Sequence, residues 1–152
     1  MHRLLLTLGI TGMVGSLLLS NPAVAQVIPP TKKAAHVEII NGPGLEMATD
    51  FLIIVRWVTN NPGGSPDHVG VVYYGTDPKD LSQTARSPIR LSQDHPNTIF
   101  RVRIQGLKPR TTYYYRVTSE ESNGTSDGVK STVNKFTTPG PGERILAEPK
   151  RD

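Results

Sequence analysis

The stretch TIFRVRIQGLKPRTTYYYRVT, residues 98–118, decides how the chain folds. In its first half Ile99, Phe100, Val102 and Ile104 are interleaved with Arg101, Arg103 and Gln105. A period of two places successive side chains on opposite faces of a strand, one apolar and one charged. Gly106 and Pro109 then break the pattern with turn chemistry. From Thr111 to Thr118 the alternation resumes, with Tyr113, Tyr115 and Val117 on one parity and Tyr114 and Arg116 on the other. Two half-buried strands separated by a short corner are the result.

The same reading extends in both directions. His36 to Asn41 alternates and stops at Gly42-Pro43-Gly44. Phe51 to Thr59 is an apolar, β-branched run ending in Asn60-Asn61-Pro62-Gly63-Gly64, where the two glycines read as a loop rather than a phosphate cradle. His68 to Tyr74 forms a third strand, closed by Gly75-Thr76-Asp77-Pro78, and Ser87 to Leu91 a short fourth. Lys130 to Thr138 completes the set after the two strands of residues 98–118. No helical periodicity is present, and 14 glycines with 13 prolines suit many short strands. The expectation is an all-β, seven-stranded antiparallel β-sandwich. Its expected core is Ile39, Ile53, Val55, Trp57, Val72, Tyr74, Phe100 or Ile99, Val102, Ile104, Leu107, Tyr113, Tyr115, Val117 and Phe136.

Gly106-Leu107-x-Pro109-x-Thr111-x-Tyr113-x-Tyr115-x-Val117 resembles the E–F corner and F strand of fibronectin type III domains, an immunoglobulin-like fold. The resemblance implies that Leu107 caps the core, Pro109 fixes the corner, and the buried Tyr113 returns its hydroxyl to upstream backbone. Trp57 looks like that fold's buried B-strand tryptophan, and Phe136-Thr137-Thr138-Pro139 like its closing G strand. A narrower set of residues is Trp57-Val58-Thr59, Val72-Tyr73-Tyr74-Gly75-Thr76, Gly106-Leu107-Lys108-Pro109, Tyr113-Tyr114-Tyr115-Arg116-Val117 and Phe136-Thr137-Thr138-Pro139. Together these are similar to the N-terminal domain of purple acid phosphatases, over residues 36–139. That family's metals and acid–base groups lie in a separate C-terminal domain. Its motif types, Gly-Asp, Gly-Asn-His and Gly-His-x-His, do not occur in this sequence, so no catalytic residue carries over.

The N-terminus has its own signature. Met1-His2-Arg3 is a positive start, Leu4 to Leu19 carries no charge, and Ala23-Val24-Ala25 is a small-x-small cleavage pattern before Gln26. This uncharged, mainly apolar run of 16 residues falls short of the roughly 20 that a membrane span needs. Residues 1–25 therefore read as a cleaved signal peptide, 26–35 as an extended leader, 36–139 as the folded domain and 140–152 as a flexible tail. A secreted or periplasmic protein is expected, with no membrane span after cleavage. Cleavage removes Arg3 and no acid, leaving 16 basic against 13 acidic side chains.

The residues carry little chemistry. Without cysteine there is no thiol catalysis, disulfide framework or Cys-based zinc site. No Gly-x-Ser-x-Gly elbow occurs, and Glu120-Glu121 point apart on an extended chain. His36, His68 and His95 each stand alone in sequence. Asp67-His68 and Asp94-His95 set a carboxylate beside an imidazole, but both read as solvated loop residues. No catalytic residue, metal ligand or cofactor is expected; a hydrolase in its own right is the remote alternative.

Surface candidates come from parity and charge. Arg86 to Arg116 holds seven basic residues against Asp94 alone. Arg101 and Arg103, with Arg56 on the neighbouring strand, define a basic ridge that serves either as solubilising decoration or as a surface for acidic partners. On the other sheet Tyr73, Tyr114 and Arg116 face outward together, an aromatic–cationic patch of the composition found at binding hot spots, or an ordinary cross-strand aromatic pairing. Ser119 to Gly128 reads as a long flexible loop, with Asn123, Gly124, Thr125 and Asp127 as contact residues. These features predict a monomeric, non-catalytic module for a protein or glycan partner, without nucleic acid. The alternative is an accessory domain acting in trans with a metallophosphatase.

Overall fold

A computed structural model describes residues 37–60, 67–90 and 95–147 of the 152-residue chain. The expected signal peptide, leader, His36, Gly63-Gly64 and Asp94 lie outside the described residues. Nine strands are present among the described residues: β1 (Ile39–Thr49), β2 (Leu52–Thr59), β3 (Asp67–Gly75), β4 (Gln83–Arg90), β5 (Thr98–Gln105), β6 (Thr112–Glu121), β7 (Ser126–Lys130), β8 (Asn134–Thr137) and β9 (Arg144–Leu146). One antiparallel sheet runs β5-β2-β1-β9; the other runs β4-β3-β6-β7, with β8 also on β6. The fold is a fibronectin type III-like β-sandwich.

Alternation sets which side of each strand is buried. Along β5 every second residue is buried, which places Phe100 in the core and leaves Ile99 41% exposed. β2 and β5 pair in unbroken register from Leu52↔Gln105 to Thr59↔Thr98. Their inner faces bring Trp57 and Phe100 into a stack with centroids 5.0 Å apart. Across the sandwich Tyr113 stacks on Phe136 at 5.5 Å, with Tyr74, Tyr115, Val72 and Val117 around them. Gly70 sits where the two layers come closest. A Cβ there would lie 2.9 Å from Phe100, 3.0 Å from Trp57 and 3.1 Å from Val102.

The corner between β5 and β6 behaves as the resemblance implies. Lys108 N–H donates to the Tyr113 hydroxyl at 3.0 Å. Thr138 fastens the same corner from the far end of β8: its hydroxyl donates to Lys108 C=O and accepts from Thr111 N–H. Leu107 N–H reaches Phe51 C=O, extending the β2–β5 ladder into the corner.

Several boundaries differ from the sequence reading, β4 among them, which begins at Gln83 rather than Ser87. β1 runs on through Gly42-Pro43-Gly44 to Thr49 rather than stopping at Asn41. The pairing of β1 with β2 shifts register between Asn41 and Gly44, so Pro43 falls in an irregularity where its missing N–H costs no ladder bond. The last expected strand, 130–138, is two strands, β7 and β8, both paired with β6. Within the expected flexible tail, Arg144–Leu146 forms β9, held to β1 and continued by Ala147 N–H to Glu46 C=O at 3.0 Å.

Two sets of predictions follow from this packing. Gly70→Ala should destabilise by ~1–3 kcal/mol through overpacking, against the usual small gain of alanine in a strand. Trp57→Ala should cost ~3–5 kcal/mol, both measured by denaturant unfolding. Burial pushes the Tyr115 phenol above its ordinary 10.0, and burial with the adjacent Tyr113 does the same for Tyr74. Both groups hold their protons more tightly folded than unfolded, so their contribution to stability is complete below pH 10.0 and is lost as pH rises through the folded-state values. The unfolding midpoint should fall above pH 10.0, and less steeply in Tyr115→Phe.

Candidate functional site

The outer face of the β3–β6 pair brings the aromatic–cationic candidates together. Tyr73 is the register partner of Arg116, and Gly75 that of Tyr114. The Arg116 guanidinium lies 5.7 Å from the centre of the Tyr73 ring, within cation–π range. Tyr73, Tyr114 and Arg116 are all half-buried. On the other side of β6, Lys135 of β8 is the register partner of Tyr114 and adds an exposed cation. Arg116 makes no ion pair among the described residues, and its Nε is buried without a hydrogen-bond partner. Further along the sheet, Glu120 is already held by Arg86 at 2.5 Å. The patch thus combines flat rings with cations that no carboxylate among the described residues neutralises.

The basic ridge is different in kind. Arg56 and Arg101 are direct cross-strand partners, and Arg103 faces Ile54. Glu46 of β1 meets both: Arg101 Nε donates to its carboxylate at 2.6 Å, and Arg56 Nε lies 4.0 Å from the same oxygen. Like charges placed opposite one another repel across a sheet, and Glu46 offsets that repulsion. Two of the three ridge arginines therefore spend their charge inside the protein. The residue that reveals this, Glu46, lies in the part of β1 beyond the strand boundary expected from sequence.

The expected loop at Ser119–Gly128 is a hairpin. Ser119–Glu121 belong to β6 and Ser126–Gly128 to β7, leaving a four-residue turn at 122–125. Glu121 N–H donates to Thr125 C=O, Gly124 N–H to Glu121 C=O, and Thr125 N–H to the Asn123 side chain. Asn123, Gly124 and Thr125 are exposed at its tip. Asp127 is not an exposed loop contact: its side chain is only 1% exposed. The β6–β7 register shifts between Thr118↔Lys130 and Glu120↔Ser126, and Gly128 takes φ +79°. Along β7 Asp127 and Val129 face inward in alternation with the exposed Ser126, Gly128 and Lys130.

His68 likewise departs from the solvated-loop reading. It is fully buried, on the same parity of β3 as Val72 and Tyr74, and its Nε2 lies 3.4 Å from Asp127 Oδ1. Glu121 is its register partner on β6. One donor atom from each of His68, Glu121 and Asp127 lies within 4.8 Å of the others. Fully or nearly fully buried Thr59, Thr98 and Ser119 make this end of the interior polar. The β3 parity was the available signal for His68, and for Asp127 it was alternation with Val129, which a loop reading of Ser119–Gly128 passes over. His95, in contrast, is exposed, its Nδ1 3.0 Å from Asn97 O and accepting from Asn97 N–H at 3.1 Å.

A separate cavity of about 400 Å³ opens between the start of β1 and β7, lined by Val37, Ile39, Pro43, Val129 and Lys130 among others. None of the candidate binding residues read from sequence lines it, though Ile39 of the expected core does. Among the described residues no helix is long and apolar enough to cross a membrane.

A family model described as "Purple acid Phosphatase, N-terminal domain" matches residues 45–138. No curated protein sequence matches the chain significantly. The fold is similar to the sensor domain of the anti-sigma factor RsgI4 in Pseudobacteroides cellulosolvens, with 22% identity over 70% of this chain and 98% of that one, at a TM-score of 0.49. It is also similar to the FN5 domain of Drosophila Lar, with 17% identity over 73% and 98% of the two chains and a TM-score of 0.37. The third fibronectin III domain of the human KIAA0343 protein is similar at 14% identity over 87% and 97%, with a TM-score of 0.36.

Replacing Glu46 tests the ridge. Glu46→Gln should lower stability by ~0.2–1 kcal/mol at low salt, as its arginine partners are left facing each other. The difference should shrink toward zero near ~1 M salt, where screening removes surface electrostatics.

Proposed function

Since the chain belongs to the purple acid phosphatase N-terminal domain family, we propose that it is a non-catalytic recognition module that binds a protein or glycan through the outer face of β3 and β6. The observation that carries this reading is the Tyr73–Arg116 pair: a cation held over an aromatic ring, with no acidic partner of its own. Tyr114 extends the flat surface and Lys135 extends the positive charge. Tyrosine offers a rigid apolar plane with a polar tip, and arginine a planar fork for carboxylate, sulfate or hydroxyl groups. Acidic protein segments and glycans both present such groups. The module works as a monomer and without a cofactor of catalytic type.

Family membership favours a second reading, in which the same face docks on a metallophosphatase in trans. In either case the protein is exported to the periplasm or medium, a reading that rests on the charge, length and cleavage pattern of residues 1–25.

The test is affinity capture with the purified protein beside the Tyr114→Ala/Arg116→Glu double variant, both first shown to be folded by circular dichroism. Capture by the native protein, lost in the variant, is expected. A glycan as the captured species makes the chain an adhesion-type module, whereas a metallophosphatase makes it an accessory domain. Equal capture by the two proteins, or none at any salt, removes the patch from consideration. Metal-dependent phosphatase turnover that tracks the protein through purification would overturn the non-catalytic reading.

A further inference from the structure

The two carboxylates and one imidazole at the loop end of the interior have no role in the outer-face reading. They come from three adjacent strands: His68 from β3, Glu121 from β6 and Asp127 from β7. Ser119, small and fully buried, lies on β6 between the strands that carry His68 and Asp127, and leaves room for their side chains to meet above it.

We propose that His68, Glu121 and Asp127 form a binding site for one divalent transition-metal ion, with Zn²⁺ the best match to the donors. Asp127 carries the argument. Both of its carboxylate oxygens are buried, and neither accepts a hydrogen bond. A carboxylate removed from water without donors is strongly disfavoured unless a cation compensates it. His68 Nε2 stands 3.4 Å from Asp127 Oδ1. That is longer than the 2.7–2.9 Å of a charge-assisted hydrogen bond. It is the separation of two ligand atoms that share a tetrahedral ion at ~2.0–2.2 Å each, which is about 3.3–3.6 Å.

Glu121 completes the set. It is half-buried and has a longer side chain, so a small rotation brings its oxygen from within 4.8 Å into the same shell. The donors also select the ion. One imidazole with two carboxylates suits zinc and its first-row neighbours, whereas Ca²⁺ and Mg²⁺ favour shells made of oxygen alone. Two negative ligands and one neutral ligand balance a divalent charge. The ion would fasten the β6–β7 hairpin to the start of β3, beside the backbone bond from Ser122 N–H to Asp67 C=O at 3.0 Å.

The experiment uses the full chain stripped with EDTA and dialysed against limiting Zn²⁺. Retained metal is measured by atomic emission, and thermal unfolding is followed with and without the ion. One Zn²⁺ per chain is expected, with a rise of several degrees in Tm that EDTA reverses. Asp127→Asn keeps the shape but removes a charged ligand. It should weaken binding by about 10-fold or more, since loss of even an outer partner of a metal ligand costs about 10–100-fold. Glu121→Gln, at a half-exposed position, provides a second test should Asp127→Asn fail to fold, and His95→Ala should bind as the native protein does. Absence of retained zinc and of any Tm shift would mean a buried imidazole–carboxylate pair and no metal site. Native-like affinity in Asp127→Asn or Glu121→Gln would place any bound zinc elsewhere and overturn the assignment.

Discussion

The sandwich depends on one close approach. Gly70 lies under the stacked rings of Trp57 and Phe100, and no side chain larger than hydrogen fits between them. The two largest fully buried side chains of one sheet therefore rest directly on the backbone of the other. Because Trp57 and Phe100 are register partners, this contact also sets how β2 and β5 pair. A slip of one residue would turn every inward side chain of either strand to solvent.

β6 carries the consequences of that arrangement on both of its faces. Inward, Tyr113, Tyr115 and Val117 fill the core, and Ser119 and Glu121 continue the same row into the polar end. Outward, Tyr114 and Arg116 meet Tyr73 and Lys135 from the strands on either side. One strand thus holds the corner, supports the apolar core and presents the binding patch. Arg116 is paired with Tyr73 of β3 on one side, and on the other it lies between the stretches of β6 that pair with β8 and with β7.

Much of this is legible in residues 98–118, where period two and the Leu-x-Pro corner specify two strands and the inward tyrosines. Parity alone also assembles Tyr73, Tyr114 and Arg116, since strand alternation is a local property. What depends on long-range pairing is less visible. Glu46 neutralises Arg56 and Arg101 only because β1 continues past a Gly-Pro-Gly that, read locally, ends it. Asp127 enters the interior because it shares the inward parity of Val129 on β7, a strand that a loop reading of Ser119–Gly128 hides. His68 is intermediate: its alternation with Val72 and Tyr74 marks it as inward, but its neighbour Asp67 draws attention to the wrong carboxylate. The partner it meets lies on β7, two strands away.

The short β9 gives the fold a mechanical property. It lies antiparallel to β1 and pairs with it at Met47, Ala48 and Thr49, continued by the bond from Ala147 N–H to Glu46 C=O. Force applied at Ala147 along the direction of these bonds meets them in sequence, beginning with Ala147 itself, rather than shearing them together. β9 would then peel away at low load and lengthen the chain, while β1 remains bonded to β2 along most of its length. The sandwich would thus carry a short extensible tether beside a core that resists pulling.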